Sequence, residues 1–137
     1  MIGILIVSHG AFGEALIHCA SHVLGKRPLR VRQVGVTVHD YPDAMLAQAQ
    51  ELVRQLDDGD GVLVFTDILG ATPSNIASRL LKAGTIEGVS GVSLPMLIRA
   101  LTYREEPLAA VVARAISAAH ECTVHIECEN DNAASGS

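Results

Sequence analysis

The chain alternates between short apolar runs and amphipathic stretches. Residues 2–7 (I-G-I-L-I-V) are almost continuously apolar and mostly β-branched, the mark of a strand buried on both faces of a parallel sheet. The run stops at Ser8-His9-Gly10, and a helical period takes over. Phe12, Ala15, Leu16, Cys19, Ala20, Val23 and Leu24 follow three-and-four spacing and predict one buried helix face, with Gly25 as its C-terminal cap. Residues 31–38 predict a second strand, with Val34, Val36 and Val38 alternating. His39-Asp40-Tyr41-Pro42-Asp43 breaks it and supplies helix-start signals. Met45, Leu46, Ala49, Leu52, Val53 and Leu56 then mark a second amphipathic helix. Residues 61–66 predict a third buried strand, which ends on Asp67.

Thr72-Pro73 reads as an N-cap followed by proline at the first helical position. Ile76, Ala77, Leu80 and Leu81 give that third helix its apolar face, and Gly84 ends it. Residues 89–94 predict a fourth strand and residues 95–101 a fourth helix. Pro107 starts a last helix, with Leu108, Val111, Val112, Ala115, Ile116 and Ala119 in register. Residues 122–129 alternate cleanly, Cys122, Val124, Ile126 and Cys128 against Thr123, His125, Glu127 and Glu129, as a half-exposed antiparallel edge strand would. Residues 130–137 are small and polar and read as a disordered tail. The expected architecture is a doubly wound, flavodoxin-like α/β sandwich. It has four parallel strands plus one antiparallel C-terminal edge strand, in a single domain over 1–129, with right-handed crossovers.

Composition narrows the function. Hydrophobic residues make up 49% of the 137, yet no apolar run approaches the roughly 20 residues of a membrane span. The first strand lacks the basic start and cleavage site of a signal peptide, so a cytoplasmic protein is expected. A net charge of −5 and 3% aromatics argue against nucleic acid, which needs a basic stripe and stacking platforms. Cys19, Cys122 and Cys128 have no metal spacing and read as free structural thiols, Cys19 on the buried helix face.

The chemistry gathers at two strand ends. His9 closes the first strand at the start of a helix, and Asp67 closes the third. In a flavodoxin-like order these strands are neighbours about 4.8 Å apart, at the switch point where ligands bind. A carboxylate on one ring nitrogen fixes the tautomer and leaves the other lone pair free, as a nucleophilic histidine accepting a phosphoryl group requires. The helix terminus offers free N–H groups to the resulting dianion. Thr72 can anchor Asp67 as well as cap its helix. Spacing alone fits equally a loop-capping Asp67 beside a solvated His9.

Three motifs add a resemblance. Ser-His-Gly at 8–10, Asp-Ile-Leu-Gly-Ala-Thr-Pro-Ser-Asn at 67–75 and Gly-Val-Ser-Leu-Pro-Met-Leu at 91–97 resemble the signatures of the mannose-family IIA components of the bacterial phosphoenolpyruvate:sugar phosphotransferase system. The resemblance covers about residues 1–128. It implies that His9 takes a phosphoryl group from phospho-HPr and hands it to a histidine of a separate IIB component. It also implies that Asp67 pairs with His9 and that Thr72 fills the family's Ser/Thr position beside that aspartate. Leu69 stands where the family often carries an aromatic residue. No bound cofactor is implied, and the membrane is reached only indirectly, through a IIC/IID permease. An exchanged antiparallel C-terminal strand among family members implies a homodimer. A regulatory module, its phosphorylation sensed by a kinase or transcription regulator, would use the same residues.

Other chemistries fit less well. Ser8 lacks the G-x-S-x-G elbow of a hydrolase. His18 and His22 have no third metal ligand, and both fall off the apolar face. His39, His120 and His125 fit loop or exposed-strand positions. Neither a Walker A nor a G-x-G-x-x-G pattern is present for a nucleotide.

Overall fold

A computed structural model describes residues 1–129. Among them the order is β1 (Gly3–His9), α1 (Phe12–Leu24), β2 (Val31–Val36), α2 (Pro42–Leu56), β3 (Val62–Thr66), α3 (Thr72–Ser78), β4 (Ile86–Val89), α4 (Leu94–Thr102) and α5 (Leu108–Glu121). All strand pairs are parallel, and the sheet order is β2-β1-β3-β4. The four parallel strands and the flanking helices are the expected sandwich, with the switch point between β1 and β3.

β1 is central because both its faces are apolar. Ile4 and Ile6 pack with α1, α4 and α5 on one side. Leu5 and Val7 pack with α2 and α3 on the other. Each fully buried aliphatic side chain contributes about 1.5–3 kcal/mol. Truncating Ile6, which has no exposed surface, to alanine would therefore cost about 2–5 kcal/mol, cavity included. Where β1 ends, burial ends with it: Ser8 is sealed and His9 is exposed.

Several expectations shift. On α1 the buried stripe is Gly13, Leu16, Ile17 and Ala20; Leu16 and Ala20 are buried as expected, but Phe12, Ala15, Cys19, Val23 and Leu24 are exposed, so the stripe is rotated from the expected face. The cause is Gly13: a Cβ there would stand 3.0 Å from Ser8 Oγ and 3.1 Å from Gln33 Cβ. The bare glycine lets the helix sit low on the sheet and turns Phe12, Cys19 and Val23 to solvent. Gly25 caps α1 in the left-handed region (φ 80°), as expected. β2 stops at Val36, and Val38 is exposed. On α5, Ile116 and Ala119 face solvent, while Ala118 is buried.

The fourth strand is Ile86–Val89 and ends where it was expected to begin. Gly91, at φ 75°, turns the chain, and Ser93 Oγ accepts the Met96 N–H at 3.4 Å to open α4. Val92 is buried in the intervening loop, and this gave residues 89–94 their strand-like pattern. Residues 123–128 form no fifth strand, and all their side chains are exposed. Their alternation is genuine, but a strand needs an adjoining edge, and among the described residues no strand pairs with them. The tail expected over 130–137 lies outside the described residues.

Candidate functional site

The β1–β3 register runs from Gly3↔Val62 to Val7↔Thr66, so both strands deliver their last residues to the same crevice. There His9 Nδ1 lies 2.7 Å from Asp67 Oδ2. The same Oδ2 accepts the His9 backbone N–H at 3.1 Å, and Oδ1 accepts the Ile68 N–H at 3.0 Å. The carboxylate thus holds the ring and its own backbone together. Burial pushes the Asp67 carboxyl up, but the hydrogen bonds from the His9 ring and backbone and the attraction of His9 outweigh it and hold the group below its ordinary value. An ionised carboxylate can only accept, so Nδ1 carries a proton; in the neutral ring this tautomer leaves the lone pair on Nε2. The Asp67 side chain is 15% exposed and that of His9 54%, and among the described residues no protein group bonds Nε2.

His9 opens onto a cleft of about 560 Å³, bordered by Gly10, Thr37, Asp40 and the start of α3 at Thr72-Pro73. Gly10 takes φ 50° and donates its N–H to Val36 O at 2.9 Å, which ties the turn after His9 to the end of β2. Neither α1 nor α3 has a side-chain cap on its N-terminus, so first-turn N–H groups remain available near the cleft.

Two of the three expected site residues, His9 and Asp67, meet directly. Thr72 stands at the cleft wall, but among the described residues no hydrogen bond joins it to Asp67. Nor is it the N-cap; Ala71 holds that place in extended backbone, and Thr72 is the first helical residue. Ser8 is sealed, and among the described residues its Oγ has no partner, so it cannot present a nucleophile to the cleft. Sequence reasoning missed Thr37 and Asp40 as cleft residues, taking residues 39–43 only as helix-start signals. A signal was available: once β2 is placed beside β1, the residues just after β2 must border those just after β1.

Residues 3–117 match the family model of the PTS system fructose IIA component, EIIA-man. The chain belongs to that family. A solved EIIA component of the phosphotransferase system from Streptococcus agalactiae is 29% identical, covering 91% of this chain and 97% of that one with a TM-score of 0.81. The putative phosphotransferase enzyme IIA component YadI of Escherichia coli (strain K12) is 39% identical over 56 residues, 40% of this chain and 38% of YadI. The transcriptional regulatory protein LevR of Bacillus subtilis (strain 168) is 29% identical over 103 residues, 73% of this chain and 11% of LevR. This IIA chain therefore spans less than two-fifths of either curated relative. No helix of its described residues is long and apolar enough to cross a membrane.

Proposed function

We propose that this IIA chain is a phosphoryl carrier in which His9 Nε2 is the acceptor. The lone pair on Nε2 attacks the phosphorus of phospho-HPr. A new N–P bond forms, the donor's N–P bond breaks, and the donor imidazole leaves with that electron pair. The reverse step at a IIB component discharges the carrier. Asp67 keeps the Nδ1 proton in place and stabilises the ring as charge develops on it. Thr72 and the uncapped helix starts supply the dianion's surroundings. The reading places the protein in the cytoplasm with its donor, as a homodimer over 1–129. The observation that carries it is the 2.7 Å contact between His9 Nδ1 and Asp67 Oδ2, with Nε2 open to the cleft.

Incubation with phosphoenolpyruvate, enzyme I and HPr, followed by intact-mass measurement, tests the reading. One phosphoryl group should appear, acid-labile and alkali-stable as a phosphoramidate is, and His9→Ala should take up none. Label on a serine, or continued uptake by His9→Ala, would overturn it. One observation favours a second reading, in which phospho-His9 is sensed by a regulatory target without transport: the match to LevR, a transcriptional regulator, spans 73% of this chain. Transfer from the labelled chain to a IIB component separates the two.

A further inference from the structure

A second cavity lies at the other end of β1 from His9. It encloses about 520 Å³ between the turn after α1 and the last turn of α4, and Arg104 stands in its wall. Arg104 is 7% exposed, and its guanidinium is taken up by main-chain oxygens. Nε and Nη2 donate to Ile2 O at 3.2 and 2.8 Å, Nη2 also to Arg30 O at 3.1 Å, and Nη1 to Leu29 O at 2.6 Å. A guanidinium has five N–H groups, so one N–H of Nη1 is left over. Among the described residues no carboxylate pairs with this charge; Asp58, Asp60 and Glu105 instead meet the Met1 ammonium at 3.6, 2.5 and 3.8 Å. Burial pushes the Arg104 guanidinium below its ordinary value, and the neighbouring Arg30 charge adds to that. A buried cation held by carbonyls alone lacks its counter-charge.

The rest of the wall indicates what kind of counter-charge fits. Lys26 lines the cavity and makes no ion pair among the described residues, whereas Arg27 is held by Glu14 at 2.9 Å. Leu24, Pro28, Leu29 and Leu101 supply apolar surface, and Leu29 is 75% exposed on it. The ends of α1 and α4 bring about half a negative charge each, which the two full charges of Lys26 and Arg104 exceed. A cavity of this size, mostly apolar with a few placed polar groups, is the ordinary form of a small-molecule site. We infer that it binds a small organic anion with an apolar body, the carboxylate between Lys26 and Arg104 and the body against Leu24, Leu29 and Leu101. An inorganic anion would leave the leucines in water, and a neutral apolar molecule would leave both cations unmatched. Arg104 holds the backbone at Ile2, about 20 Å from His9 along β1. The site is therefore separate from the phosphoryl-transfer cleft and does not depend on His9 being the carrier.

Titration of the isotope-labelled, unphosphorylated protein with phenylpropionate at neutral pH tests this, with phenylpropanol as the uncharged body and acetate as the bare carboxylate. Amide resonances within 24–29 and 101–104 should shift saturably with phenylpropionate, at an affinity of about 1 mM. Phenylpropanol and acetate should each bind about 10-fold more weakly. Lys26→Glu changes an exposed position and leaves Arg104 in place. It should weaken phenylpropionate about 10-fold while the rest of the spectrum stays unchanged. Shifts that do not saturate, equal binding of the alcohol, or unchanged binding by Lys26→Glu would overturn the inference, as would shifts confined to the residues of the His9 cleft.

Discussion

Gly35 on β2 lies against the carbonyl oxygen of Gly10, so closely that a Cβ at position 35 would stand 2.1 Å from it. Gly10 is the residue after His9, and the strand beneath it is what holds the turn in place. Gly35→Ala should push the turn away from β2 and shift the imidazole. A clash of this kind in packed surroundings costs about 1–3 kcal/mol, and a misplacement of about 1 Å at a reacting group can slow transfer by about 10²-fold. Urea unfolding and the rate of labelling by phospho-HPr measure the two effects. A variant with wild-type midpoint and rate would mean that the backbone yields without moving His9.

Asp67→Asn should keep the fold and slow labelling by about 10²- to 10⁴-fold. An amide oxygen can still accept from Nδ1, but it cannot stabilise the ring as it charges, and the amide can turn to present a donor instead. Circular dichroism checks the fold, and single-turnover labelling checks the rate. Unchanged kinetics with an intact spectrum would reduce Asp67 to a loop cap.

The same carboxyl makes a pH prediction. Its folded pKa lies below its ordinary value, so between the two the unfolded chain binds more protons than the folded one. The stability it contributes is fully present above about pH 4, the ordinary carboxylate range, and is lost as pH falls through the lower folded value. The stability difference between wild type and Asp67→Asn should therefore shrink as the pH falls below about 4. Denaturant midpoints of both proteins across that range provide the measurement. A constant difference would contradict the ionised pairing with His9.

Much of this was legible in the sequence for identifiable reasons. The continuous, mostly β-branched apolar runs of β1 and β3 read as doubly buried strands, and placing those two side by side brings His9 to Asp67. What escaped depended on neighbours distant in sequence. The phase of α1 is set by Gly13 against Ser8 and Gln33, a close approach that no periodicity encodes. β4 was misplaced because Val92 is as buried as a strand residue while serving a loop. Thr72-Pro73 carries the composition of a cap and proline pair, yet the helix opens one residue earlier. Asp40 was read for its helix-start role, because its place on the cleft wall appears only once β2 lies next to β1.

The segment after α5 gives the last prediction. Val124 and Ile126 are 72% and 89% exposed, on a stretch whose alternation is that of a strand. α5 itself is complete without it: its end is closed by the Cys122 N–H on Ala118 O and by Arg99 on Glu121 at 3.0 Å. Leaving two large aliphatic side chains in water while the backbone beside them has no ladder is unfavourable, and pairing with a second copy removes both costs at once. Exchange of identical segments across a two-fold axis also makes every such contact twice. The homodimer proposed above should therefore depend on this segment. Deleting residues 123–137 should give monomers or aggregates, while deleting only 130–137 should leave the dimer unchanged. Replacing Val124 and Ile126 together by aspartate should also weaken the dimer. Light scattering at high protein concentration measures all three. A full-length protein that remains monomeric there would end the proposal and leave Val124 and Ile126 as solvent-facing side chains of a single chain.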